Sequence, residues 1–169
     1  MQATRAMLAA LATVTAGSFV GVVGASARAA PGDTELVSLT ANGARAAGDS
    51  NLRHGGGALS ADGRYVAFYS YRANLARNDG NGLPDVFLRD RERGRTLLVS
   101  AATTGAAGNG GSEQPSISDD GRYVSFVSTA SNFVAGDRNG AADVFVWDRD
   151  TGRTELASVA TGGVRANDT

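Results

Sequence analysis

Two loops of this 169-residue chain carry side chains suited to chemistry. The first reads Asp79-Gly-Asn-Gly-Leu-Pro-Asp85 and the second Asp137-Arg-Asn-Gly-Ala-Ala-Asp143, so both follow D-x-N-G-x-x-D. Hard cations such as Ca2+ take several oxygens from a tightly turned loop, with glycine where the backbone bends. The same residues also suit a loop that holds no ion. Asp79 and Asn81 favour Asx turns, Gly82 accepts positive φ, and Asp85 can tether the loop by accepting backbone N–H bonds.

Other reactive types are sparse. Asp62 and Asp120 each precede a glycine, and Asp-Gly is turn chemistry, so a catalytic carboxylate pair has no further support. His54 is the single histidine, set in a Gly-rich stretch. The chain has no cysteine, so nothing joins His54 in a zinc site, and no disulfide framework is available. No G-x-S-x-G elbow is present, so a Ser-His-Asp triad has no local signature. Trp147 aligns with Arg89 across the two halves described below, so its position tolerates a charge and suits an edge or the surface rather than the deep core.

The elements that must position these residues occur twice. Asp62-Gly-Arg-Tyr-Val-Ala-Phe through Asp85-Val-Phe-Leu-Arg-Asp90 recurs as Asp120-Gly-Arg-Tyr-Val-Ser-Phe through Asp143-Val-Phe-Val-Trp-Asp148. The offset is 58 residues without a gap, and 15 of 29 positions are identical. A fixed period is the signature of a repeat architecture. Within the second copy, Pro115–Ser118 is a short extended piece and Asp119-Asp120-Gly121 a hairpin turn. Tyr123–Ser128, Val144–Trp147 and Thr154–Val159 are rich in β-branched and aromatic residues and read as strands. A polar loop spans 129–142. Four short antiparallel strands per unit result. Thr34-Glu-Leu-Val-Ser-Leu39 resembles Thr154–Val159, so one strand precedes the two units.

Ser60-Ala-Asp-Gly-Arg-Tyr-Val-Ala-Phe68 and Ser118-Asp-Asp-Gly-Arg-Tyr-Val-Ser-Phe126 resemble the strand entry of the PD40, or TolB-like, β-propeller repeat. The resemblance implies an all-β, propeller-like array of two four-stranded antiparallel blades plus one preceding strand. Propellers normally close with four to eight blades, and this chain departs in number. The paired loops also resemble the back part of the D-x-D-x-D-G-x-x-D calcium loops of some propeller repeats. Carried over by position, Asp79, Asn81 and Asp85 would be ligands, as would Asp137, Asn139 and Asp143. The first ligand position of that pattern falls on Arg77 and Ala135, which cannot coordinate. No other cofactor is implied. The leading expectation is a secreted, non-catalytic binding or scaffold module for a macromolecule, protein or glycan. The alternatives are an N-terminal fragment of an exported propeller hydrolase and a calcium-stabilised repeat module.

Residues 1–29 read as a signal peptide: Arg5 in a positive n-region, an apolar stretch from Ala6 to Val23, and Ala27-Arg-Ala29 as a cleavage site. Secretion with cleavage after Ala29 is expected, leaving no membrane attachment. The remainder carries 14 Arg, no Lys and 17 acidic residues, a net charge of −3. That mild acidity excludes the basic footprint of a nucleic-acid binder. The expected organisation is strand and linker over 30–57, blade one over 58–100, an interblade loop over 101–114, blade two over 115–160 and an interblade tail over 161–169. Two blades leave end faces uncovered, and repeat units bury their faces only against neighbours. Self-association, or further blades, is therefore expected.

Overall fold

The computed structural model describes residues 34–40, 44 and 57–160. The expected signal peptide, His54 and the tail over 161–169 lie outside the described residues. The first sheet holds β1 (Gly57–Leu59), β2 (Tyr65–Ser70), β3 (Asp85–Asp90) and β4 (Arg95–Leu98), in that order. The second holds β5 (Ser112–Ile117), β6 (Tyr123–Ser128), β7 (Asp143–Asp148) and β8 (Arg153–Leu156). Every pairing is antiparallel. The protein is all-β, two propeller-like four-stranded blades, with no helix among the described residues.

The Ser-x-Asp-Gly-Arg entry builds each blade by local hydrogen bonding. Ser60 Oγ donates to Asp62 Oδ1 at 2.6 Å and accepts the Tyr65 N–H at 2.9 Å. Asp62 Oδ1 also accepts the Arg64 N–H at 2.9 Å. Ser118, Asp120, Arg122 and Tyr123 repeat these contacts. Gly63 and Gly121 take φ of 69° and 68°, the left-handed region that a glycine enters without steric cost. The arginine then reaches across the hairpin to the last residue of the next strand. Arg64 grips Asp90 bidentately at 3.1 and 3.0 Å, and Arg122 grips Asp148 at 3.1 and 2.9 Å. These clamps explain why the sequence pairs D-G-R with an aspartate 28 residues on.

Alternation along a strand gives each blade two faces. The outer face of blade one carries Phe68, Leu75, Ala76 and Phe87, with Leu98 packed against them. The repeat of that face in blade two carries Val124, Phe126, Phe133, Phe145 and Trp147. It packs on the inner face of blade one, where Tyr65, Ala67, Tyr69, Val86 and Leu88 stand. This interblade layer is the main core. Three phenylalanines anchor it, Phe133 meeting Phe126 and Phe145 edge-on at 5.7 and 5.1 Å between centroids. The backbone joins the blades as well: Ala61 N–H donates to Asp119 O at 2.9 Å and Ser112 N–H to Pro84 O at 2.8 Å.

Some features differ from the sequence reading. β5 begins at Ser112 rather than Pro115, so it starts inside the expected interblade loop. A register shift between Glu113 and Ser116, with Gln114 at φ 55°, absorbs the irregularity. Pro115 is tolerated because β5 is an edge strand. β8 ends at Leu156 because Ala157 and Ser158 N–H both turn onto Val144 O, at 2.7 and 3.3 Å. Val99 and Ser100 do the same on Val86 O.

Thr34–Leu39 keeps the terminal geometry of the last strand. Leu39 N–H donates to Val37 O at 2.9 Å, as Ala101 does to Val99 O at 2.8 Å and Val159 to Ala157 O at 2.9 Å. Among the described residues, however, no strand pairs with it, so no regular strand forms there. It lies instead against blade one, where Glu35 accepts two bonds from the Arg91 guanidinium and Leu39 O accepts from Thr96 Oγ1.

Candidate functional site

The loop joining β2 to β3 holds Asp79, Asn81 and Asp85, and the loop joining β6 to β7 holds Asp137, Asn139 and Asp143. Both loops place their final aspartate at the start of a strand, where it is almost fully buried. Asp79 and Asp137 are 6% exposed. In the second loop Asn139 meets Asp143, while in the first Asp79 stands beside Asp85. Among the described residues, no group of three or more His, Cys, Asp or Glu is arranged for a metal ion.

The two loops are hydrogen-bonded differently. In the second, Asn139 Nδ2 donates to Asp143 Oδ2 at 2.9 Å and Ser158 Oγ donates to Asp143 Oδ1 at 2.6 Å. Both Asp143 oxygens are satisfied. In the first, Ser100 Oγ donates to Asp85 Oδ1 at 2.5 Å, matching Ser158. Asn81 Nδ2 instead turns to Gly108 O of the interblade connection, at 2.9 Å. Asp85 Oδ2 and both oxygens of Asp79 are left buried without a hydrogen-bond partner. Burial, the Asp85 charge and a side-chain contact with Asp85 push the Asp79 carboxyl up to about 7. Burial likewise raises Asp85 against the opposing bond from Ser100. In both loops the Asn Oδ1 accepts the N–H two residues on, from Leu83 at 2.8 Å and Ala141 at 3.0 Å, so the Asx turn forms in each.

Asp62 and Asp120 act as turn residues. Hydrogen bonds from Ser60 and from Ser118 hold the two carboxyls below their ordinary range. The edge or surface position expected for Trp147, rather than the deep core, is corrected: the tryptophan is 6% exposed and lies in the interblade core. Its equivalent, Arg89, is 2% exposed, with Nη1 donating to Thr96 Oγ1 at 3.2 Å. Burial pulls the Arg89 guanidinium below its ordinary value, and the charges of Glu35 and Asp90 offset that only in part. A cleft of about 490 Å3 runs between β4 and the Trp147 edge, lined in part by Arg77, Arg95 and Thr96. Among the described residues its lining offers guanidinium groups and no carboxylate, thiol or imidazole.

The inner face of blade two is the other candidate. Register places Tyr123, Ser125 and Val127 of β6 beside Asp148, Val146 and Val144 of β7 on this face. Their equivalents in blade one are buried to between 0% and 6%. Here Tyr123 is 42% and Val144 41% exposed, and Ser125, Val127 and Val146 are half-buried. The sequence implied uncovered end faces. It did not separate the two faces of these strands, one of which carries buried Trp147.

No family model and no curated protein matches the chain. The structure is similar to the crystal structure of TolB from Acinetobacter baumannii, with a TM-score of 0.40 and 17% sequence identity. The match covers 66% of this chain and 22% of that one, so the chain spans about a fifth of that structure.

Proposed function

We propose that the chain is an exported, non-catalytic repeat module of the TolB-like propeller kind, which works by docking the open inner face of blade two onto an apolar protein face. Its occupant is the same face of a second copy. One observation carries the reading: positions buried in blade one by the next blade stand exposed at the equivalent place in blade two. A blade buries its faces only against neighbours, so this surface has the composition of an interface and lacks its cover. Pairing like with like gives an isologous dimer. The partner recognised is therefore another protein, and nucleic acid is disfavoured by the acidic balance of the chain beyond Ala29.

The test uses material recovered outside cells that express the full chain. Its N-terminus is sequenced, and its mass is followed by light scattering across concentrations. The reading expects a start at Ala30 and concentration-dependent association. Val144→Asp, placed on the exposed face, shifts the protein to monomer while its melting transition persists. A chain that is monomeric at every concentration overturns the docking reading, and a retained chain beginning at Met1 overturns export.

A further inference from the structure

We propose that the loop joining β2 to β3, and not its repeat between β6 and β7, is a site for one hard divalent cation of the calcium type, with Asp79 and Asp85 as its carboxylate ligands. This site is separate from the docking surface on blade two.

Three buried oxygens without partners belong to this loop: Oδ1 and Oδ2 of Asp79 and Oδ2 of Asp85. Asp79 is 94% buried by its 6% exposure, and Asp85 is fully buried. Buried polar groups are otherwise almost always satisfied, and an unpaired buried carboxylate is among the costliest exceptions. The two carboxyls stand six residues apart in one tightly turned loop, and neither Asp79 oxygen has a donor to offset its burial. An all-oxygen set with two negative charges suits a hard ion, which completes its shell with backbone carbonyls and water.

The second loop supplies the internal control. There Asn139 donates its amide into Asp143 Oδ2, the oxygen equivalent to the one left open on Asp85. The interblade connection makes the difference in the first loop. Gly108 O captures the Asn81 amide and so withdraws the donor that would close the site. The same sequence pattern thus gives a closed loop in one repeat and an open acceptor cluster in the other. With only two carboxylates, the expected affinity is that of weak extracellular calcium modules, a Kd of about 10⁻⁴ to 10⁻³ M.

Calorimetric titration of the full chain with calcium chloride, paired with thermal unfolding in calcium and in chelator, decides the matter. The expected result is one ion per chain and a melting temperature several degrees higher in calcium. Asp79→Asn, nearly isosteric, removes both effects, and Asp137→Asn keeps both. Two ions per chain, no ion, or loss of binding in Asp137→Asn alone overturns the proposal. The wild-type stoichiometry is decisive even where a variant fails to fold.

Discussion

Asp90 and Asp148 end equivalent strands and are gripped by Arg64 and Arg122, with Arg93 adding a further contact on Asp90, but their surroundings differ. The Asp90 side chain is 1% exposed and that of Asp148 is 17% exposed. Removing the arginine leaves a deeply buried charge in the first blade and a partly solvated one in the second. Arg64→Met is therefore expected to lower the melting temperature by several degrees, and Arg122→Met by less, measured by circular dichroism. The pH dependence follows the same groups. Burial pushes Asp90 up, but its bonds from Arg64 and Arg93 outweigh that and hold it below its ordinary value; Asp148 is held down chiefly by Arg122. A carboxylate with a depressed folded pKa contributes stability that is present above the unfolded value, near 3.8, and is lost as pH falls through the folded value. Stability is thus expected to fall as pH drops below about 4, and Asp90→Asn to flatten that slope. An acid limb that is unchanged in Asp90→Asn would refute the assignment. The D-G-R and D-V-F-x-x-D spacing was legible in the sequence. That the Arg and the distal Asp meet was not, because a strand pairing intervenes.

At the scale of the element, the hairpin turn of each blade meets a different environment. Gly63 and Gly121 have nearly the same positive φ, so alanine costs about 1 kcal/mol of backbone strain at either. A Cβ on Gly63 would meet only Arg91 Nη1 at 3.6 Å, while a Cβ on Gly121 would fall 2.3 Å from Cδ2 of Tyr65. The turn of blade two sits on the ring that forms the inner face of blade one. Arg149, which donates to Gly121 O at 2.8 Å, lies over the same ring at 4.3 Å from its centroid. Gly121→Ala is expected to cost about 1–3 kcal/mol more than Gly63→Ala in denaturant unfolding, since the ring must move out of a packed layer. Equal costs would mean that the blades do not press together here. The loop over 129–142 teaches a related point. Its composition reads as polar, yet Phe133 and Ala130 are each 1% exposed and belong to the interblade core. The available signal was the alignment of Phe133-Val134 with Leu75-Ala76, an apolar pair preserved in both loops.

For the whole molecule, the core is one shared layer rather than one centre per blade. Tyr65, Tyr69 and Leu88 of the first blade and Phe126, Phe133 and Phe145 of the second lie in a single cluster. Both blades should consequently unfold in one transition. Phe133→Ala is expected to cost about 3–5 kcal/mol, through lost transfer energy and the cavity left behind. It should destabilise both blades together, and two separated transitions in the wild-type melt would refute the shared core. The amino-acid sequence by itself determined the repeat, its period, the strand class, the turn chemistry and the two D-x-N-G-x-x-D loops. Those properties are local, set by residue type and by neighbours a few positions away. Only the tertiary structure decided which copy of each equivalent residue is covered. Tyr65 is buried and Tyr123 exposed because a blade stands against one and not the other. Asn81 opens its loop and Asn139 closes its own because Gly108 O of the interblade connection lies within reach of the first. A repeat writes the same residues twice, while burial and hydrogen bonding depend on what packs alongside.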